Sequence, residues 1–471
     1  MQKKNNIQGI KRYSGSININ KEMVWIILSL AWPTMLEQLM QTAVQYIDTA
    51  MVGTLGTAAT AAVGATTTIN WLVSSSISAL SIGFLAFIAK ACGAGEKHLV
   101  KRAVAQAGFI VLLVGLFFTA ATVGLSGQIP VWMQVDPEIR TLTSQYFLIL
   151  YAPMLFRTAT IVFGTVLRAA GDTKSPMKIG IFVNIMNIVL NFLLIYPTQS
   201  YILAGNTWII PGAGLGVAGA AIASAISFVF GGICMTIVIL KHPMLSPKGE
   251  SLRPDMEILK PCLKVAFPNM LQRFATSFGY VAFASLINSV GEVATAAHTI
   301  ANTVESAFYI PGYGMQTAAA TLAGNAYGAK DKQRMKELAR MFIPIEIILM
   351  IVSGAGLFVL APNLVSFFSK SEEVIALGIT VLRMVAVSEP FYGFSIIVEG
   401  MMQGVGKTKE PFIYNIIGMW GVRIVCTFVT TQYLGMGLIS AWACMIAHNM
   451  LLFVFYMICY VRKRWNPLEQ F

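Results

Sequence analysis

Ala31-Trp32-Pro33-Thr34-Met35-Leu36 comes back 235 residues later as Ala266-Phe267-Pro268-Asn269-Met270-Leu271. The same shift lays Gly93-Ala94-Gly95-Glu96-Lys97 on Gly328-Ala329-Lys330-Asp331-Lys332. It also lays Arg168-Ala169-Ala170-Gly171-Asp172-Thr173-Lys174-Ser175-Pro176 on Gln403-Gly404-Val405-Gly406-Lys407-Thr408-Lys409-Glu410-Pro411. Further on, Gly214-Leu215-Gly216 meets Gly435-Met436-Gly437 at a shift of 221, so the first half carries roughly 14 extra residues around 198–212. The chain is one unit written twice. In a membrane protein such duplication implies two pseudo-symmetric helix bundles with a site within or between them.

Composition puts the chain in lipid. Hydrophobic residues make up 56% and charged residues 11%, with a mean hydropathy of +0.69. A soluble surface cannot be covered with so few charges. Apolar runs of about 20 residues, the length that crosses a hydrocarbon core of about 30 Å, recur throughout. They predict an all-α membrane protein of twelve spans: 22–50, 60–88, 103–126, 140–167, 176–196, 214–240, 260–286, 294–325, 338–361, 373–402, 411–431 and 437–461. The segments are then an N-terminal piece (1–21), a first six-helix lobe (22–240), a linker (241–259), a second lobe (260–461) and a tail (462–471). Met256–Leu263 reads as a short interfacial helix ahead of span seven, and Tyr201–Ile210 as a hairpin turning at Gly205-Asn206. Trp132, Trp208 and Trp465 fall where aromatic belts sit.

The net charge of +12 is not a nucleic-acid footprint, because of where it lies. Lys90, Lys97, Lys101 and Arg102, the linker's Lys241, Lys248, Arg253, Lys260 and Lys264, then Lys330, Lys332, Arg334, Lys336 and Arg340, and finally Arg462-Lys463-Arg464 all fall on one side. The other side holds Arg140 and Lys370. This asymmetry implies a multi-pass protein of the plasma (inner) membrane with both termini cytoplasmic. The first 20 residues are polar and basic and lack a signal-peptide pattern. The six cysteines are scattered without CxxC spacing and read as small buried hydrophobes.

Neither a Walker A loop nor a dinucleotide-binding or hydrolytic motif is present, so no chemistry on ATP is visible and no cofactor is expected. Polar residues inside the spans are the guide to function, because each is costly in lipid unless it faces a cavity or a partner. Span one carries Thr34, Glu37, Gln38, Gln41, Gln45 and Asp48 on one helical stripe. Span five carries Asn184, Asn187 and Asn191, the last two one turn apart. Span eight carries His298, Asn302, Glu305 and Tyr309 at i, i+4, i+7 and i+11. Glu305 reads as the deepest carboxylate of the second lobe, with Arg273 as a candidate partner; His298 reads as a hydrogen-bonded core residue. Arg157, Arg423, Glu389 and Glu399 also lie within spans. The repeat makes the polar set asymmetric: Asp48 falls on Phe283, Asn187 on Val422, Asn191 on Cys426, Glu305 on Asn70 and Arg157 on Tyr392. Residues kept only for packing should survive in both copies, which favours function for these.

With Ala31-Trp32-Pro33 followed by Tyr46-Ile47-Asp48-Thr49-Ala50-Met51-Val52-Gly53, with Ala296-Ala297-His298-Thr299-Ile300, and with Gly-x-Thr-Lys-x-Pro in both halves, the chain resembles the multidrug and toxic compound extrusion (MATE) family over essentially its whole length. The pattern looks closer to its bacterial DinF-like branch. The resemblance implies two six-helix lobes in a V, exporting amphipathic cations by antiport against H⁺ or Na⁺ as a monomer. Asp48 matches the family's first-span aspartate and Asn187 its fifth-span asparagine. Asn191 stands where many relatives have a second aspartate. The acids that NorM-like relatives carry on spans seven and ten match Thr276 and Tyr392 here, which argues against a second-lobe Na⁺ site of that kind and leaves Glu305 as its substitute.

The expected cation-coupling set is thus Asp48, Asn187 and Asn191, with Ser224 added if the ion is Na⁺; H⁺ is favoured. Expected substrate contacts are Gln41, Gln45, Asn184, Thr276, His298, Asn302, Glu305 and Tyr309, with Pro33 as a hinge. The alternative is a flippase for a lipid-linked or glycan substrate, which should line its cavity with several Arg or Lys; Arg157 and Arg273 sit among about as many carboxylates, which favours the exporter.

Overall fold

The computed structural model describes residues 18–133, 135–203 and 206–469. In chain order the first half comprises α1 (Asn18–Gly53), α2 (Thr57–Ala94), α3 (Lys97–Leu125), the single turn α4 (Ile129–Trp132), α5 (Arg140–Tyr151), α6 (Met154–Ala169), α7 (Lys174–Ile195), β1 (Pro197–Leu203), β2 (Asn206–Ala213) and α8 (Gly216–Lys241). The second half comprises α9 (Met256–Asn288), α10 (Glu292–Gly328), α11 (Lys332–Phe368), α12 (Glu372–Ala386), α13 (Glu389–Gly404), α14 (Lys409–Ile416), α15 (Val425–Phe428) and α16 (Leu438–Val461). Two π-helical stretches, Ile417–Ile424 and Val429–Tyr433, flank α15 within one continuous rod.

Among the described residues, eight helical rods are long and apolar enough to cross a membrane, and the bent pairs α5–α6 (48°) and α12–α13 (52°) each add one more if read as single spans. Expected spans seven and eight fall on α9 and α10, which have the length but are not among those rods. The separate interfacial helix expected at Met256–Leu263 does not exist. Those residues open α9, which runs unbroken through Pro261 and Pro268, because Asp255 caps it by accepting from the Glu257 amide at 3.1 Å. The hairpin is present and longer than expected. Its ladder runs from Pro197 opposite Ala213 to Leu203 opposite Asn206, so Asn206 belongs to a strand; Ala204, Gly205 and the Trp208 side chain lie outside the described residues.

The repeat is visible in the turns. Gly171 and Gly406 both take positive φ, 85° and 82°, which lets the chain reverse after α6 and α13. Each donates back to the helix just ended, Gly171 to the Arg168 carbonyl at 2.9 Å and Gly406 to the Gln403 carbonyl at 3.0 Å. Pro176 and Pro411 then sit in the first turn of the next helix, where no amide hydrogen is needed.

The two halves interlock at the end where α2 and α10 finish. A Cβ on Gly93 would collide with the Asn325 carbonyl oxygen, and one on Gly328 with the Lys90 carbonyl oxygen. These positions are repeat mates, so α2 and α10 cross on the pseudo-two-fold axis through their smallest residues, as helices in lipid do when they pack closely. The starts of α1 and α9 are exchanged across the same seam. Met23, Ile27 and Ala31 join a core built from α10, α11, α13 and α16, while Ile258, Leu259 and Cys262 join the core of the first half. Gly93→Val should therefore force the backbones apart. We expect a loss of about 1–3 kcal/mol of stability, read as a lower melting temperature in detergent; an unchanged melting temperature would refute this reading of the seam.

The basic loops, the linker and the tail gather at that same end. Arg102 pairs with Asp255 at 2.5 Å, and Gln106 donates to the Arg253 carbonyl at 2.8 Å. Lys336 and Lys463 bracket Glu469 at 2.7 and 3.4 Å, holding its carboxyl below the usual range, with Lys336 the main cause. Trp465 is not an aromatic-belt residue: it is 4% exposed and stacks on Tyr460 at 5.8 Å. Trp132 is exposed.

Candidate functional site

In the first lobe the sequence-predicted coupling residues come together. α1 brings Asp48, α7 brings Asn187 and Asn191 one turn apart, and α8 brings Ser224. Asn191 Nδ2 donates to Asp48 Oδ1 at 2.6 Å and to Asn187 Oδ1 at 3.2 Å; Asn187 Nδ2 donates to Ser224 Oγ at 3.3 Å. In this orientation the Asn187 oxygen faces the carboxyl of Asp48. Turned over, its amide nitrogen instead donates to the two Asp48 oxygens at 3.0 and 3.2 Å. Asn187 and Asn191 are buried, and Asn191 Oδ1 has no hydrogen-bond partner among the described residues. The site thus offers one carboxyl, two amide oxygens and a hydroxyl. Those atoms suit a proton or a small hard cation.

The rest of the span-one stripe divides. Gln41 and Gln45 lie on exposed surface, whereas Glu37 is buried and forms a double contact with Arg168, whose Nη2 stands 2.7 Å from both carboxylate oxygens. Pro33 is buried inside a continuous α1. Asn184, on α7, is partly buried and its Nδ2 has no partner among the described residues.

The second lobe departs further from expectation. Glu305 is buried at 7% exposure, but it is not the deepest carboxylate: Glu346 on α11 is 0% and Glu389 at the start of α13 is 2% exposed. Both Glu346 oxygens and Glu389 Oε2 lack a hydrogen-bond partner among the described residues. Glu346 fills space opened by Gly312 and Gly393, where a Cβ would press on it. The cation within electrostatic reach of Glu305 is Arg423, not Arg273. Arg423 comes from the π-helical stretch and lies over the rings of Phe283 (4.1 Å) and Tyr280 (4.9 Å). His298 is half-buried and hydrogen-bonded: its Nδ1 accepts from Trp442 Nε1 at 3.3 Å, edge-on to Phe283. Tyr309 joins Tyr313 and Tyr392, whose hydroxyls meet at 3.1 Å. Thr276 is partly buried and Asn302 exposed, neither in this cluster's hydrogen bonds. Sequence reasoning missed Glu346 altogether, although a lone acid inside the apolar run 338–361 was the signal for it.

Among the described residues no three His, Cys, Asp or Glu side chains gather as for a metal ion. All six cysteines are free.

The model of the family described as MatE matches residues 33–193 and again 268–429. The chain belongs to the MatE family. The two matched stretches are the two copies of the repeat, so the MatE unit is the lobe. MatE proteins are transporters, and this chain is a transporter and not an enzyme. Relatives include a probable multidrug resistance protein NorM of Thermotoga maritima, 26% identical over 95% of this chain and 93% of that protein. Another is the probable multidrug resistance protein YoeA of Bacillus subtilis, 25% identical over 96% and 97%. The fold matches a crystal structure of MATE in complex with MaL6 (TM-score 0.87, 23% identity, 95% of this chain and 98% of that one). It matches equally an outward-facing multidrug resistance MATE transporter (TM-score 0.87, 23% identity, 98% and 100%).

Proposed function

We propose that the chain is a multidrug exporter that drives amphipathic, mainly cationic xenobiotics out of the cell by antiport, with H⁺ as the coupling ion. The full-length relatives named for multidrug resistance support the export of drugs. The observation that carries the coupling is the pair of amides around a single buried-side carboxyl at Asp48.

A proton suits the Asp48 site better than sodium does. Sodium stripped of water needs a fuller shell of oxygens and gains most from more than one carboxylate, and here Asn191 replaces the second. A proton needs only the carboxyl and an acceptor. With its nitrogen turned to Asp48, Asn187 donates to the carboxylate, as Asn191 does. Protonation from outside then neutralises Asp48, loosens its hold on Asn191 and frees α1 to repack around Pro33, which expels the substrate.

The test is ethidium efflux from cells expressing the chain. Expression should lower steady-state ethidium in an energised cell and lose that effect with a protonophore. Identical dye levels with and without the chain would refute the export reading.

A further inference from the structure

We propose that Arg157 is an anion-binding residue of the first lobe and takes the carboxylate of amphipathic substrates that carry one. The inference rests on the exporter reading and adds a substrate class to it.

Arg157 lies on α6, inside a membrane-spanning segment, where an unpaired charge is costly unless it serves something. Among the described residues no carboxylate comes within 4.0 Å of it. Its charge is instead held by neutral groups. Nη1 donates to Asn70 Oδ1 at 2.5 Å, Nη2 donates to Ser74 Oγ at 2.6 Å, and the guanidinium lies 4.7 Å from the centre of the Phe228 ring. Tyr151 Oη also donates to Asn70 Oδ1, at 3.3 Å, which fixes that amide. Two of the five N–H donors of a guanidinium are used in this way, and the side chain is only partly buried. What remains is a full positive charge with open donors in a site shielded from bulk water. A planar carboxylate matches that fork, and the bond is charge-assisted on both sides.

The bland reading makes Arg157 a clamp that ties α2 to α6 and α8. The repeat argues against it as the whole explanation. Asn70, Ser74 and Arg157 have as mates Glu305, Tyr309 and Tyr392, and the same junction in the second lobe is built by rings, with Tyr309 and Tyr392 6.3 Å apart. At the position of Arg157 itself the second lobe thus packs a ring, and the guanidinium in reach of Glu305, Arg423, comes from a different element. The contrast with Arg168 is also direct: that partly buried arginine has its own carboxylate in Glu37, and Arg157 has none. Tyr146, which is buried, is in electrostatic reach of both Arg157 and Asp48, and among the described residues no ion pair joins those two.

The test uses purified full-length protein and equilibrium fluorescence binding of rhodamine B, which has a free carboxylate, beside its methyl ester, which has the same rings and no anion. The variants are Arg157→Gln and Arg157→Lys. In Arg157→Gln rhodamine B should bind at least about tenfold more weakly while the ester changes by less than about twofold; Arg157→Lys should recover part of the loss as a point charge. A purely structural arginine would weaken both dyes together, and that result, or equal retention of both, would overturn the proposal. Binding of the ester alone by the unsubstituted protein would also overturn it while leaving the exporter reading intact. Binding of neither dye would count against both.

Discussion

Asp48→Asn is expected to abolish gradient-driven efflux while leaving the protein folded. The substitution keeps the shape of the side chain and an oxygen for the Asn191 amide, whose bond to Asp48 is 2.6 Å long. It removes the one group in the cluster that exchanges a proton or carries a charge. The expected loss is at least about tenfold in rate, ~1.4 kcal/mol or more in the barrier, with membrane yield and melting temperature near those of the unsubstituted protein. Efflux at the original rate would remove Asp48 from the mechanism. A collapse of yield together with rate would assign it a structural role instead.

The second large effect concerns stability. The buried Glu37 and the partly buried Arg168 form an ion pair that ties α1 to α6, and the Arg168 carbonyl accepts from Thr321 Oγ1 of the other half at 3.2 Å. Removing Glu37 leaves the partly buried Arg168 charge without its carboxylate, and about 3–5 kcal/mol, the cost for a fully buried pair, is the upper bound. Glu37→Ala should therefore lower the melting temperature far more than any exposed substitution does. The double variant Glu37→Gln with Arg168→Gln should be milder than Glu37→Ala, because no charge is then stranded. The second lobe supplies the precedent: the mates of these residues are Gln272 and Gln403, which both donate to Glu399 Oε1, at 2.8 and 3.2 Å. A Glu37→Ala protein that melts like the parent, or a double variant worse than the single one, would contradict this account.

Much of the architecture could be read from the chain. The 235-residue repeat announced two lobes, and the spacing of Asn187 and Asn191 announced a shared face that the structure brings against Asp48. What escaped reading depends on contacts between distant spans. Glu37 looked like part of a cavity stripe because its partner Arg168 is 131 residues away. Glu346 was a single acid in an apolar helix, and the space it fills is made by glycines on α10 and α13. Arg423 follows a π-helical turn, so a wheel drawn at 3.6 residues per turn misplaces it; in the fold it sits over Phe283, the repeat mate of Asp48. The two lobes thus put opposite chemistry at one equivalent position, a carboxyl in the first and a ring that carries a cation in the second.

The account's central claim is that a proton cycling on Asp48 drives export. Ethidium efflux from vesicles reconstituted with the purified protein, with pH and Na⁺ gradients imposed one at a time, tests it most directly. The account expects efflux in a pH gradient without Na⁺, abolished by a protonophore and absent in Asp48→Asn. Strict dependence on a Na⁺ gradient at fixed pH would contradict it.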